Sequence, residues 1–192
     1  MKQCIRKTPL HLVILLFVIA PGGVAEVCGQ TINSQWKKEL NEALEEFINC
    51  KDSGACSNYV GQSLQKVYNV NDFYSAKEKR YLRSSEISSL VRGNDKWTLL
   101  GRSFEQGALE EAQKQANAKK AVIAVYMNES GLGHVVLIVP GELTPSGSWG
   151  LSVPNAASFP AADPEKSFVD KGLSFAFTKN MMKDVFLYVR NY

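Results

Sequence analysis

Apolar positions recur at helical spacing in the first half of the chain and in short β-like runs in the second. Over 35–49, Trp36, Leu40, Ala43, Leu44, Phe47 and Ile48 share one face, and Lys37, Lys38, Glu42, Glu45 and Glu46 lie opposite. This spacing predicts an amphipathic helix, with Asn33 or Ser34 placed to cap it. Lys51-Asp52-Ser53-Gly54 reads as a turn. A second helix is expected to start near Cys56. Its inner stripe is Tyr59, Val60, Ser63, Leu64 and Val67, and Cys56 sits on the same stripe at the N-terminal end. The pattern weakens over 69–104. A short helix is expected at 85–91, ended by Gly93-Asn94-Asp95, and Trp97, Leu99 and Leu100 are expected to be buried. The stretch reads as a helical insertion shaping one wall of a cleft. A clearer helix follows at 104–118, with Ala108, Leu109, Ala112 and Ala116 inward.

The second half changes period. The β runs at 121–127 and 133–139 are joined by Asn128-Glu129-Ser130-Gly131, which predicts a hairpin. A third strand is expected at 149–153, a loop over 154–172, a short strand at 175–177 and a closing strand at 185–190. Helices come first and strands follow. The expected class is therefore α+β, with N-terminal helices packed on a central antiparallel β-sheet.

The first 29 residues carry a different signal. Lys2, Arg6 and Lys7 precede an apolar run over 10–20, broken only by His11, and then Pro21-Gly22-Gly23 and small residues. This is the layout of a secretory signal peptide, and the run is short for a membrane span. Cleavage after Gly29 would leave one domain over 30–192, periplasmic or extracellular. Cys28 raises a lipoprotein alternative, against which Glu26 is a poor approach residue. No later stretch is apolar enough to span a membrane.

The formal net charge is +3, and removal of the leader brings it close to neutral. That gives no support for nucleic-acid binding, which wants a concentrated basic face. Cys4, His11 and Cys28 leave with the leader. Cys50, Cys56 and His134 remain, too few for a convincing zinc site and without support for haem or iron–sulfur. No metal or organic cofactor is expected.

The remaining residues suit nucleophilic chemistry. A cysteine at a helix N-terminus has a lowered pKa, and the thiolate is the nucleophile. His134 follows Gly131-Leu132-Gly133, small enough to let a substrate approach. Such a pair needs a third group to orient the base, expected from a strand beside that of His134. Asn155 is the first choice and Ser152 the second.

Cys56-Ser57-Asn58-Tyr59-Val60 resembles the Cys-Ser-Gly-Phe-Val helix start of the NlpC-type papain-like cell-wall hydrolases. Gly133-His134-Val135-Val136-Leu137-Ile138 resembles their Gly-His-Val-Gly-Ile strand. The order of elements is also theirs, and the resemblance covers about 56–155. It departs at Asn58, where the family has Gly, and at Ala55, where it often has Asp. The upstream Tyr-x-x-Gly element is not recognisable, and the interval from His134 to Asn155 is longer. The resemblance implies a papain-like fold and an exported, monomeric cysteine hydrolase. It would cut an amide bond in peptidoglycan stem peptides through a thioester, as an endopeptidase or N-acetylmuramoyl-L-alanine amidase. Cys56 would be the nucleophile, His134 the base and Asn155 its orienting partner. An inhibitor protein stays open as a partner.

A second reading stands beside this one. Two cysteines in a secreted chain suit a disulfide. The chain would then be a non-catalytic secreted binding module with a structural Cys50–Cys56 bridge. A reversible cap of Cys56 by Cys50 lies between the two. His134 would be a core histidine and Asn155 a turn residue. Trp97 and Trp149 read as core, and Glu42, Glu45, Glu46, Glu110 and Glu111 as solvated helix faces.

Overall fold

The computed structural model describes residues 32–51 and 59–192. The stretch expected to be a leader (residues 1–29), most of the turn expected over 51–54, and Cys56 lie outside the described residues. Both N-terminal helical patterns are realised, as α1 (Trp36–Ile48) and α2, described over Tyr59–Tyr68. Leu40, Ala43 and Phe47 of α1 and Val60, Ser63, Leu64 and Val67 of α2 are buried. The N-cap of α1 is Gln35, with no side-chain capping bond, and not Asn33 or Ser34 as expected; Asn33 acts two residues earlier, in the approach to the helix. Its Oδ1 accepts the Gln35 backbone N–H at 2.9 Å, and its Nδ2 donates to Glu39 at 2.9 Å.

The stretch expected to be a helical insertion is built differently. It contains a small ribbon of β1 (Tyr74–Ser75) and β2 (Arg80–Tyr81), then α3 (Ser84–Arg92), then β3 (Trp97–Arg102). β3 belongs to the main sheet and pairs antiparallel with the closing strand. Trp97 is buried, but Leu99 is 51% exposed, because an edge strand buries only part of its length.

The helix α4 (Gln106–Asn117) follows, then the hairpin of β4 (Val122–Met127) and β5 (Gly133–Ile138), as the pattern predicts. Next come β6 (Thr144–Ser146), β7 (Leu151–Val153), β8 (Asn155–Ser158), β9 (Phe168–Gly172) and β10 (Val185–Arg190). The six-stranded sheet runs β3-β10-β4-β5-β8-β9, with every pairing antiparallel. Three expectations change here. β7 pairs with β6 in a separate ribbon, and the strand beside β5 is β8, inside the stretch expected to be a loop. That stretch also supplies β9, while 175–177 forms no strand and Leu173–Phe175 is a 3-10 turn. Asn155-Ala156-Ala157-Ser158 has little intrinsic β preference. Its extended state comes from burial between β5 and β9.

Both faces of the sheet are covered. Ile123, Val125, Val135, Leu137 and Ala157 pack with α1, α2 and α3. Val122, Ala124, Val136, Ile138 and Ala156 pack with Ala108, Leu109, Ala112 and Ala116 of α4. This explains why β4 and β5 read as nearly unbroken apolar runs. Each large aliphatic side chain contributes about 1.5–3 kcal/mol on burial. The two halves are also pinned by Arg190, whose Nε donates to Asp72 Oδ2 at 2.7 Å and Nη2 to Oδ1 at 3.2 Å. Burial alone would raise the Asp72 pKa. Arg190 and Lys96 outweigh it and hold the carboxyl below its ordinary range. The architecture is α+β with an antiparallel central sheet. Among the described residues no helix is long and apolar enough to cross a membrane.

Candidate functional site

His134 is the second residue of β5 and pairs across the hairpin with Tyr126. Its Nε2 lies 2.8 Å from Ser158 Oγ, and its ring meets Phe177 edge-on at 5.6 Å and 61°. Ser158 ends β8 and is only 1% exposed. The register sets it opposite Val136, diagonal to His134 on the same face of the sheet. Part of the imidazole opens outward, yet its surroundings are dense. Burial pushes its pKa down to about 4, so the ring is neutral at pH 7. Nδ1 makes no hydrogen bond among the described residues. In the tautomer in which Nε2–H donates to Ser158 Oγ, Nδ1 keeps a lone pair to receive a proton.

His134 lines a cleft of about 550 Å³ at the end of the sheet where the β4–β5 turn lies. Val60, Arg83, Leu132 and Phe159 line the same cleft. Val60 follows position 56 by four residues in sequence, so the cleft adjoins the described part of the helix expected to carry the nucleophile. The His134 ring packs on the face that holds Phe177, whereas α2 packs on the opposite face. The two elements meet around the end of β5 rather than across the sheet. The glycines before His134 have local causes as well. Gly131 takes φ +78° in the turn. A Cβ on Gly133 would stand 2.9 Å from the Tyr126 carbonyl oxygen and 2.6 Å from the Met127 methyl.

The expected orienting residue is not brought to His134. Asn155 opens β8, and its carbonyl accepts from Val139 N–H at 3.0 Å, five residues along the chain from His134. Its side chain donates to Asp170 Oδ1 at 2.6 Å and to the Pro140 carbonyl at 3.0 Å. Asp170 is also ion-paired with Lys37. Lys37 first, and Asn155 second, hold its pKa low. Asn155 is thus a clamp between β9 and the exit of β5. Ser152, the other choice, lies on β7 outside the main sheet, and its N–H donates to Gln106 Oε1 at 3.0 Å. The expectation of a polar residue on the strand beside β5 fits Ser158. Reading 154–172 as a loop conceals it.

Cys56 lies outside the described residues. Cys50 is disulfide-bonded, half-buried and packed against the core that holds α1 and α2. Its partner lies outside the described residues. Among the described residues no group of three or more His, Cys, Asp or Glu could hold a metal ion. No protein-family model matches the chain, and no curated protein matches it in sequence.

Proposed function

We propose that this protein is an exported, papain-like cysteine hydrolase that cuts an amide bond in peptidoglycan stem peptides. One observation carries the reading. A histidine backed by a buried hydroxyl lines the same cleft as the first described turn of the helix that follows Cys56. In this reading the Cys56 sulfur attacks the amide carbonyl while His134 Nδ1 takes the thiol proton. The imidazolium protonates the leaving amine, and a thioester remains. His134 then takes a proton from water, which attacks the thioester and releases Cys56. Ser158, in place of Asn155, accepts from Nε2–H and holds the ring. The low basicity of buried His134 favours a neutral Cys–His pair that transfers its proton during attack.

The test is mass spectrometry of products from purified peptidoglycan incubated with reduced wild-type protein, Cys56→Ser and His134→Gln. Each variant is expected to lose about a thousandfold in rate with its circular dichroism unchanged. Undiminished hydrolysis by Cys56→Ser, or no product from the wild type, would remove the reading.

The disulfide at Cys50 favours a second reading, the binding module with a structural Cys50–Cys56 bridge. Non-reducing peptide mapping separates them. A quantitative Cys50–Cys56 link, with no hydrolysis after its reduction, supports the module.

A further inference from the structure

The charge in the cleft is one-sided. Arg83 is the only charged side chain among the described residues lining it, and no described Asp or Glu faces it there. The nearby acids are already engaged. Arg80 binds Glu86 through two hydrogen bonds of 2.8 and 2.7 Å, and it also pairs with Glu78. Glu86 additionally accepts the Arg83 backbone N–H at 2.7 Å. Arg80 foremost, helped by that N–H and by the charge of Arg83, holds the Glu86 carboxyl down at about 2, so it stays an anion hydrogen-bonded to Arg80. The Arg83 guanidinium is exposed and makes no close ion pair or side-chain hydrogen bond among the described residues, and its charge partner there, Glu86, is hydrogen-bonded to Arg80 instead. Leu132, 71% exposed, and Ala161 and Ala162 add aliphatic surface to the same cleft.

We infer that Arg83 is a specificity residue that binds a free carboxylate on a short aliphatic, acidic peptide held in the His134 cleft. The inference rests on the hydrolase reading for the chemical step, but the binding itself can be measured separately. A planar guanidinium suits a carboxylate through two parallel N–H···O bonds, which an ammonium or a neutral amide cannot reproduce. The aliphatic surface takes small apolar groups beside that carboxylate.

The probes are alanyl-γ-glutamyl-lysine with its glutamyl α-carboxylate free, and the same peptide with that group amidated. Binding is followed by NMR titration of the full mature wild-type chain, Arg83→Gln and Arg83→Lys, and turnover by mass spectrometry of the same samples. For the wild type, amidation is expected to weaken Kd roughly tenfold. Arg83→Gln should abolish that discrimination, and Arg83→Lys should retain part of it. Thermal denaturation should be the same in all three proteins, since Arg83 is exposed. Equal affinity of the wild type for the two peptides, an equal loss for both in Arg83→Gln, or no binding of either would overturn the inference. Turnover without acid–amide discrimination would overturn the carboxylate site and leave the hydrolase. Discrimination in binding without turnover would do the reverse.

Discussion

His134→Gln removes a titrating ring and keeps a side-chain amide able to donate to Ser158 Oγ. The wild-type ring has a pKa of about 4 when folded, against an ordinary 6.5 in the unfolded chain. Between those values the unfolded chain binds a proton that the folded protein does not. Stability therefore falls as pH drops from about 6.5 to 4, is flat below, and is undiminished by this group above 6.5. At about 1.36 kcal/mol per pKa unit, the loss at pH 4 is about 3 kcal/mol, a large share of a typical domain's margin. Asp72, Glu86 and Asp170 all have lowered pKa values. Their contributions are present at neutral pH and lost as pH falls through their folded pKa values, equally in both proteins. Urea denaturation of wild type and His134→Gln, at intervals from about pH 7.5 to 4, isolates the histidine as a difference. The variant should lose about 3 kcal/mol less than the wild type over that range. Parallel curves would show that His134 is not buried as a neutral ring, and the assignment of Nδ1 as a free base would fall with it.

The neighbouring contacts set two further outcomes. In the proposed hydrolase, Ser158→Ala should lower kcat on peptidoglycan about tenfold with little change in KM, whereas Asn155→Ala should cost about 1–2 kcal/mol of stability in a melting experiment and leave kcat unchanged. Asp72→Asn leaves the Arg190 guanidinium, with 15% of its side chain exposed, without its carboxylate, and should destabilise the protein by about 3 kcal/mol in urea denaturation at pH 7.

The elements legible in the sequence are those whose pattern arises within the element. α1 and α2 each carry a full apolar stripe, and the β4–β5 hairpin has two apolar runs joined by a turn-forming segment. The elements that local pattern conceals draw their state from distant neighbours. β8 is two alanines between an asparagine and a serine, and nothing in those residues prefers an extended chain. It is a strand because β5 offers one free edge and β9, further along the chain, covers the other side. The Trp97 strand is similar. Its partner is the last strand of the chain, so no local window contains the reason for it.

The candidate site divides along the same line. His134 is legible because a turn and an apolar strand frame it locally. A polar side chain on the adjacent strand does meet His134, and it is Ser158 and not Asn155, because the pattern misplaces where that strand begins. Displacing the third strand from 149–153 to Asn155–Ser158 moves the candidate from Asn155 to Ser158. The period of two then matters. Asn155 and Ser158 are three apart, and β8 has an irregular register toward β9 between Ala156 and Ala157, so their roles differ sharply. Asn155 closes onto Asp170 and Pro140, while Ser158 turns to His134. The same period puts His134 on the face away from α2. In the hydrolase reading, a Cys56–His134 encounter would take place around the strand end, beside the Gly131–Gly133 segment. Open space at that end is the geometric requirement of the hydrolase. A Cβ at Gly131 would meet nothing within 4 Å, so a bulky side chain there would strain the turn through its positive φ and project beside the cleft. In the hydrolase, Gly131→Leu should lower kcat/KM on peptidoglycan by more than its loss of melting temperature explains, whereas the binding module needs only the turn.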